Sequence, residues 1–457
     1  MRRDFKGVRA AIAGLGVSGI ASAKAITELG GKAVALDQKP ADNLRQIRQV
    51  EELQSAGIEV VTGWHGRIDP KDFDLLVVSP GFPRNHPATQ DMAGKPIWGE
   101  IELAYQISRA PIYAITGTNG KSTTVVLLWS LMQAAGLKTR LCGNIAGSGY
   151  PEMTLTEAAL LAEEDEHLAA EISSFQLENA IDFRPKAAAI SNITPDHLDR
   201  HPSFEDYRDT KLRLFEKMDA GDTVVLNASE PSLPLDLIQK HIHGRPNLSV
   251  FDPTGQTTGT HTGRQGNTLT FSGHEAAVSQ LPVPGEHFIT NSMMAWEMAS
   301  TATELGEESL SQLLAFKGLA NRMEYLGEKR GIMVVNNSMC TNPAAVIASS
   351  LSVRRKQHLL IGGLTKGLDF SPLREYLEGS DYRVYLFGPN PEKMDAVLGG
   401  GWPIFDSMPA AFKAAVGEAK EGEAVLLAPG CASADPYASF RERGEAFRQI
   451  AKEWLEQ

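Results

Sequence analysis

The stretch Ile112-Tyr-Ala-Ile-Thr-Gly-Thr-Asn-Gly-Lys-Ser-Thr123 decides the fold class, because it joins a strand pattern to a helix pattern through a loop with two glycines. Ile112–Ile115 is a short apolar run typical of a buried strand, Gly117–Gly120 is a loop, and Ser122–Ala135 has helical periodicity. In this order, the backbone N–H groups of the loop and of the helix start point towards one place, where they bind phosphate. The stretch therefore predicts a phosphate-binding loop at the end of a strand.

The side chains of this loop fit that prediction. Gly117 and Gly120 allow the backbone to approach a ligand closely, Lys121 reaches the β and γ phosphates, and the Ser122 hydroxyl ligates magnesium. The loop departs from the common eight-residue pattern, because Ile115 stands where the first glycine is expected. The alternative is a simple turn before an amphipathic helix. The predicted nucleotide contacts in the loop are Gly117, Thr118, Asn119, Gly120, Lys121, Ser122 and Thr123.

Strand and helix patterns alternate on both sides of the loop. A chain of 457 residues is too long for one hydrophobic core, and its length suggests roughly three domains. We predict an α/β protein with a Rossmann-like N-terminal domain (1–108), a central domain with a P-loop ATPase-like parallel sheet (109–317), and a Rossmann-like C-terminal domain (318–457). The Gly-, Thr- and Ser-rich segment Pro246–Pro282 predicts hairpins. The predicted strands are Val8–Ala13, Ala33–Asp37, Leu75–Ser79, Ile112–Ile115, Ala169–Ile172, Ala187–Ser191, Thr223–Leu226, Ile332–Val335, His358–Ile361, Arg383–Phe387 and Ala424–Leu427.

Composition narrows the class of partner. The net charge of −12 disfavours nucleic acid or an anionic membrane as the main partner. No apolar run approaches the ~20 residues of a membrane span. The three cysteines, Cys142, Cys340 and Cys431, include no C-x-x-C pair, which fits a reducing compartment and argues against a zinc ribbon. We expect a cytoplasmic monomer.

A second glycine motif opens the chain. Gly14-Leu-Gly-Val-Ser-Gly19 follows the first predicted strand, and Asp37 ends the next one, which matches the dinucleotide fingerprint. On its own this pattern fits either an NAD site or a purely structural tight turn.

The phosphate loop resembles the ATP loop of the Mur ligase and folylpolyglutamate synthase superfamily, and four further segments extend the likeness from about Gly14 to Phe447. The last two of them resemble the glutamate-adding branch. The segments are Glu171–Glu178, Asn192–Arg200, Gly362–Ser371 and Pro429–Ser433. The resemblance implies an ATP-dependent amide ligase of peptidoglycan precursor synthesis. Its expected substrates are UDP-N-acetylmuramoyl-L-alanine and glutamate, in the D form, joined through an acyl-phosphate with release of ADP and phosphate.

The resemblance also implies the metal site. Ser122 and Glu171 would hold one magnesium ion, and His197 would help to hold a second. Lys211 matches the lysine that the family carbamylates, and a carbamate offers the oxygen ligands that a hard cation prefers. The implied catalytic residues are Lys121, His197 and Lys211. Without the resemblance, His197 is best read as a hydrogen-bonded loop histidine and Lys211 as a solvated helix lysine.

The remaining contacts follow from matching positions. Asn291 and Arg322 would contact ATP, and the N-terminal domain would hold the UDP of the substrate instead of NAD. The implied substrate contacts are Val17, Ser18, Asp37, Ser79, Gly81 and Asn144 for the uridine substrate, and Thr341, Lys366, Ser433 and Phe440 for the incoming amino acid.

Several positions depart from the family pattern, among them Ala434, which replaces a residue that is usually larger. Asn337 stands where an aspartate is usual and Met339 where a lysine is usual, so one charge of each sign is lost together. Phe288 replaces an asparagine, and it either stacks on adenine or fills a gap. Two alternatives therefore stay open. One is a related ligase, with another acceptor such as L-glutamate, or a folate polyglutamate ligase. The other is a catalytically silent homologue that binds nucleotide.

Overall fold

The computed structural model describes residues 3–41, 47–197, 200–257, 260–283, 285–353, 355–365, 368–433 and 436–457. Its α/β architecture confirms the predicted fold class. Contacts divide the chain into two compact units. The first unit comprises Met1–Ala146, Pro151–Gln280 and Ile289–Leu314, and the second comprises Gly147–Tyr150, Leu281–Phe288 and Ala315–Gln457. The division into three domains at residues 108 and 317 stays a prediction.

The N-terminal sheet of the first unit is parallel and has the order β3-β2-β1-β4-β5. Its strands are β1 (Arg9–Ala13), β2 (Lys32–Asp37), β3 (Glu59–Thr62), β4 (Leu75–Val78) and β5 (Ile97–Gly99). The helices are α1 (Val17–Glu28), α2 (Ile47–Ser55), α3 (Pro87–Asp91) and α4 (Glu100–Ile107). Helix α1 begins at Val17, so Val17 and Ser18 lie in its first turn.

The central sheet of the first unit is also parallel, with the order β11-β10-β9-β6-β8-β7. Its strands are β6 (Ile112–Thr116), β7 (Lys138–Gly143), β8 (Glu166–Glu171), β9 (Ala187–Ile190), β10 (Thr223–Asn227) and β11 (Asn247–Phe251). The helices that follow β6 in the chain are α5 (Lys121–Ala134), α6 (Leu155–Leu161), α7 (Ser174–Leu177), α8 (Phe204–Leu212), α9 (Leu235–His241), α10 (Glu286–Ser300) and α11 (Glu307–Leu314). Because β6 lies between β8 and β9, the carboxyl ends of these three strands meet at one edge of the sheet.

The predicted hairpin segment is partly confirmed. A three-stranded antiparallel sheet contains β12 (Thr262–Gln265), β13 (Thr268–Phe271) and β14 (His274–Ala277). The prediction was wrong for Asn247–Phe251, which forms β11 of the parallel sheet. This strand lies at the end of its sheet and leaves Leu248 and Val250 exposed, so its sequence lacks the apolar run of a buried parallel strand.

The second unit contains a six-stranded sheet of order β15-β16-β20-β17-β18-β19, with apolar clusters on both faces. Its strands are β15 (Glu324–Lys329), β16 (Ile332–Asn336), β17 (Gln357–Gly362), β18 (Arg383–Phe387), β19 (Ile404–Phe405) and β20 (Ala424–Leu427). The helices are α12 (Pro343–Ser352), α13 (Ser371–Glu378), α14 (Pro391–Val397), α15 (Met408–Glu418) and α16 (Phe440–Glu456). The sheet is parallel except for β15, which pairs antiparallel with β16 and was not predicted. In the described part of the chain, no helix has the length and apolar character needed to cross a membrane.

Candidate active site

The loop between β6 and α5 has a backbone that requires glycine at two places. Gly117 has φ = 141°, and a Cβ there would lie 2.0 Å from the Ser191 hydroxyl oxygen. Gly120 has φ = 86°, and a Cβ there would lie 2.5 Å from Oδ1 of Asn291. Both conformations and both spaces therefore exclude a larger residue. The contact also places Asn291, a predicted nucleotide contact, directly beside the loop.

The segment after β9 holds the loop in shape. The carbonyl of Asn192 accepts from the Thr118 N–H (2.9 Å), and its side-chain Oδ1 accepts from the Asn119 N–H (3.0 Å). Its side-chain N–H donates back to the Asn119 carbonyl (3.1 Å). At the start of α5, the Lys121 ammonium donates to the Thr118 carbonyl (2.9 Å). These hydrogen bonds hold the loop in one conformation before a ligand binds. The N–H groups at the N-terminus of a 14-residue helix follow the loop.

A buried carboxylate lies beside the start of α5. Glu171 ends β8 and pairs in register with Ile115 of β6, and it is 3% exposed. The Ser122 hydroxyl donates to Oε2 of Glu171. The Asn144 side-chain N–H donates to Oε1 (3.3 Å). Asn144 was grouped with the N-terminal pocket, but the structure places it here, because β7 neighbours β8 in the central sheet.

Lys211 is buried against the phosphate loop. Its side chain is 2% exposed, and its ammonium donates to the Gly117 carbonyl (2.8 Å) and lies 4.8 Å from the ring centre of Tyr207. Burial lowers the pKa of Lys211 well below its ordinary value, and the nearby ammonium of Lys121 lowers it further. The carboxylates of Asp196 and Glu171 act in the opposite direction. The reading of Lys211 as a solvated helix lysine is therefore wrong.

His197 lies in the loop after β9 and has a left-handed backbone, φ = 53°. Its ring packs edge-on against Phe175 at 5.0 Å, and its Nε2 lies 3.7 Å from Oδ2 of Asp196. The side chain is half exposed, so it faces solvent more than Glu171 or Lys211 does. Among the described residues, no group of three or more His, Cys, Asp and Glu side chains is arranged to hold a metal ion.

The N-terminal fingerprint is held together by polar contacts. Gly14 has φ = 92°, and a Cβ at Gly19 would lie 1.8 Å from the Gly14 carbonyl oxygen. The Ser79 hydroxyl donates to that carbonyl (2.8 Å), which brings the end of β4 to the glycine turn. The Asp37 carboxylate accepts from the Leu15 N–H (2.8 Å) and the Lys39 N–H (2.9 Å). Asp37 therefore braces the two loops that follow β1 and β2.

In the second unit, the loops with the predicted amino-acid contacts meet at the carboxyl ends of β16, β20 and β17. Leu364 and Ala432 exchange two backbone hydrogen bonds (2.9 and 3.0 Å), next to Ser433. The Gly430 N–H donates to the Cys340 carbonyl (3.0 Å), next to Thr341. Ser338 donates its hydroxyl to the carbonyl of Phe440 (2.8 Å), the first residue of α16. The predicted contact Lys366 lies outside the described residues.

The residues that depart from the family pattern have partners of their own. The Asn337 side chain donates to the Ser349 hydroxyl (2.6 Å) and accepts from the Met323 N–H (3.2 Å). The Arg322 guanidinium donates to the Met339 sulfur, 2.7 Å away. Phe288 is 3% exposed and stacks on Phe316 with ring centres 5.7 Å apart, which supports the gap-filling interpretation.

The sequence did not single out Arg84, although it lies at the centre of an ionic network in the first unit. Its guanidinium contacts the carboxylates of Glu178 (3.0 Å) and Asp206 (2.8 Å). The only available signal was a cation three residues after the Ser79-Pro-Gly81 turn. Its partner Asp206 is 122 residues away, and no local pattern indicates that pairing.

The loop, the carboxylate and the parallel sheet define an α/β protein of the phosphate-loop type. Two family models match the chain, the Mur ligase middle domain over residues 115–299 and the Mur ligase glutamate ligase domain over residues 321–431. The chain belongs to the Mur ligase family. It is 35% identical to the UDP-N-acetylmuramoylalanine–D-glutamate ligase of Thermoanaerobacter sp. (strain X514), over 98% of this chain and 99% of that protein.

Solved structures agree on the fold. The pseudomurein peptide ligase type C from Methanothermus fervidus is similar with a TM-score of 0.57 and 16% identity, over 98% of this chain and 100% of that one. The MurF ligase from Thermotoga maritima, solved in complex with ADP, is similar with a TM-score of 0.55 and 16% identity, over 84% of this chain and 90% of that one. At this level of identity, the likeness concerns the fold.

Proposed function

We propose that this protein is an ATP-dependent ligase that joins D-glutamate to UDP-N-acetylmuramoyl-L-alanine, with release of ADP and phosphate. The observation that carries the proposal is the convergence of Lys121, Ser122, Glu171 and Lys211 on one phosphate loop. This arrangement occurs in a chain that is alike over its whole length to a ligase of that name. We propose three domains that each bind one substrate: residues 1–108 bind the uridine substrate, 109–317 bind ATP and 318–457 bind the amino acid.

ATP suits the loop because Gly117 and Gly120 allow the backbone conformation that presents the loop's N–H groups to a phosphate. The residues Gly117–Thr123 offer backbone N–H groups and a cation, with Asn291 beside them. The N-terminus of α5, at Lys121, adds the positive pole of a helix. Arg322 is also proposed to contact the nucleotide, as the family pattern implies.

The donor atoms at Ser122 and Glu171 fit magnesium, since hydroxyl and carboxylate oxygens are the ligands that hard cations prefer. Magnesium bound there would neutralise phosphate charge. It would take its other ligands from water and phosphate. His197 and a carbamate on Lys211 are proposed for a second ion. A carbamate forms from a neutral amine and carbon dioxide, and the lowered pKa of Lys211 favours the neutral amine.

Two substitutions make up the reaction. The carboxylate of the muramoyl-alanine attacks the γ-phosphorus, the bond to the ADP oxygen breaks, and an acyl-phosphate forms. The glutamate amino group then attacks the acyl carbon, the carbon–oxygen bond to phosphate breaks, and the new amide nitrogen loses a proton. The ammonium of Lys121 stabilises the charge that develops on the phosphoryl oxygens, which is the main requirement of such a transfer.

The two remaining sites follow the strand ends. The residues proposed to bind the uridine substrate are Val17, Ser18, Asp37, Ser79, Gly81 and Asn144. The amino acid is proposed to bind at Thr341, Lys366, Ser433 and Phe440, where a lysine ammonium suits the extra carboxylate of glutamate. We further propose a cytoplasmic monomer, in keeping with the three free, buried cysteines.

Phosphate release tests the proposal. The purified protein is assayed with UDP-N-acetylmuramoyl-L-alanine, Mg-ATP and, in separate reactions, D-glutamate, L-glutamate and other amino acids. We expect release with D-glutamate. Release only with another acceptor would assign a related ligase. No release and no acyl-phosphate with any acceptor would favour a silent homologue. A parallel titration with UDP and NAD tests the N-terminal pocket, and binding of NAD without UDP would contradict the substrate assignment.

A further inference from the structure

A partly buried ionic network links the loop after β4 to the segment that carries His197 and Lys211. Glu178, at the end of α7, is 3% exposed and accepts from two arginines, Arg84 (3.0 Å) and Arg200 (2.6 Å). His201 is fully buried and hydrogen bonded to Asp206 (2.8 Å) and the Ser174 hydroxyl (3.1 Å). The two arginines are balanced by the carboxylates of Glu178 and Asp206, so the network is electrically matched.

Arg84 joins the loop after β4 to two other segments, because the three nitrogens of its guanidinium reach Glu178 and two residues of α8. Its Nε contacts Glu178 (3.0 Å), its Nη1 donates to Asp206 (2.8 Å), and its Nη2 donates to the Thr210 hydroxyl (3.2 Å). Asp206 and Thr210 lie on α8, on which Lys211 is the next residue. A single planar side chain therefore holds α8 at two points.

The network also reaches the turn after β4, which carries the proposed uridine contacts Ser79 and Gly81. The Arg200 guanidinium donates to the Phe82 carbonyl (2.7 Å), and the Phe82 N–H donates to the Ser79 carbonyl (2.9 Å). On the other side, the Arg200 N–H donates to the His197 carbonyl (3.0 Å). A ligand that orders the Ser79–Gly81 turn therefore also favours one position of the His197 loop and of α8.

We infer that Arg84 is a positioning residue that couples binding of the uridine substrate to binding of Mg-ATP at the phosphate loop. The inference rests on the proposed function, since it takes the Ser79–Gly81 turn as the uridine side. Arg84 touches neither ligand in this account. It acts by fixing the position of α8, and therefore of Lys211, relative to the turn after β4. Coupling of this kind is reciprocal, so each ligand should tighten the other by the same factor.

Isothermal titration measures the coupling directly. A non-hydrolysable ATP analogue with Mg²⁺ is titrated with and without saturating UDP-N-acetylmuramoyl-L-alanine, and the reverse titration is done as a check. In the wild type we expect each ligand to tighten the other on the order of tenfold. In Arg84→Gln we expect a factor near one, with each ligand alone bound within about threefold of the wild type. Arg84→Lys should resemble Arg84→Gln, because an ammonium cannot reproduce the three contacts that the planar guanidinium makes with Glu178, Asp206 and Thr210.

Arg67→Gln is the matched control, since Arg67 forms a 2.7 Å ion pair with Asp91 that lies outside this network. It should keep the wild-type coupling. If Arg84→Gln is too unstable to titrate, Asp206→Asn carries the test, because it removes the carboxylate on α8 that pairs with Arg84 and with His201. Coupling retained in the tested variant, or absent in a wild type that binds both ligands, would overturn the inference alone. A wild type that does not bind the uridine substrate would overturn the proposed function and the inference with it.

Discussion

The ammonium of Lys211 donates a hydrogen bond to the carbonyl of Gly117, 2.8 Å away, and so ties α8 to the phosphate loop. Gly117 cannot be replaced without a clash, and Lys211 is buried beside a second ammonium, that of Lys121. A buried cation with a lowered pKa opposes folding at neutral pH, because the unfolded chain holds the proton more tightly. The site therefore gives up stability at the position proposed for carbamylation.

Lys211→Met should make stability less dependent on pH. The pKa of Lys211 is lowered in the folded state. Protonation of Lys211 therefore reduces the free energy of unfolding of the wild type, and the reduction is complete below the folded pKa. The reduction disappears as the pH rises to the ordinary lysine value of 10.5. The difference in unfolding free energy, variant minus wild type, should thus fall between neutral pH and pH 10.5. Urea unfolding in carbon-dioxide-free buffer measures it, and a difference that is constant with pH would contradict the lowered pKa.

Activity should depend on carbon dioxide. If Lys211 works as a carbamate, wild-type enzyme prepared in degassed buffer should lose turnover and regain it with bicarbonate. Lys211→Ala should be inactive, and short carboxylic acids that enter the void should restore part of the rate, since they replace the missing oxygens. A fully active preparation can be treated with a reagent that traps a carbamate on the lysine, and its intact mass measured. An intact mass without the trapped carbamate would count against the modification.

Lys121→Ala should lose about a hundredfold or more in kcat, because one preorganised cation at the phosphoryl oxygens is removed. The fold should persist, since the loop is held independently by Asn192. Lys138→Ala is the control. Lys138 is an exposed lysine in the same unit that pairs with Asp165 at the start of the neighbouring strand. Near-normal turnover of Lys121→Ala would mean that the phosphate-loop assignment is wrong.

Glu171→Gln should raise the Mg²⁺ concentration needed for half-maximal rate on the order of tenfold or more. Replacing a residue that only orients a metal ligand already has an effect of that size. The Ser122 hydroxyl can still donate to the amide oxygen, so the melting temperature should change little. Glu166→Gln, at the opposite end of β8, is the matched control and alters a partly buried pair with Arg140. An equal Mg²⁺ requirement in both variants would remove Glu171 from the metal site.

The loop could be predicted because its requirements are local. A strand, two glycines, a lysine and a hydroxyl within a dozen residues determine the geometry around Gly117 and Lys121. Family likeness pointed to Lys211, but only the packing of α8 shows that its side chain is buried. The position of Asn144 beside Glu171 could not be predicted, because the neighbour of β7 in the sheet is β8, a pairing that the sequence does not state.

Long-range ion pairs and packing were beyond reach of the sequence. Nothing near Arg84 indicates Asp206, because charged residues are common and their partners depend on the tertiary fold. The two readings of Phe288 were separated only by its burial against Phe316. Edge strand β11 was missed because exposure on one side removes the apolar run that marks a buried parallel strand.

The last prediction concerns Asn337 and Met339, where one acidic and one basic residue of the family pattern are absent. Asn337 is buried and donates to Ser349, so Asn337→Asp alone removes a donor and adds a buried charge, at about 1–3 kcal/mol of stability. Met339→Lys alone places a second cation beside Arg322, whose guanidinium lies 2.7 Å from the Met339 sulfur.

If the lost aspartate and lysine formed a compensating pair, the double variant should be more stable than the sum of the two single changes by roughly 1 kcal/mol or more. Urea unfolding of all four proteins gives this coupling, and additive effects would refute the pair. Turnover is read in the same set. We expect the native protein to be active with D-glutamate, because Arg322 is retained and Asn337 leaves no orphan charge. A large gain of turnover in the double variant would show that the native loop is impaired, whereas a loss would show that the pocket is built around Met339.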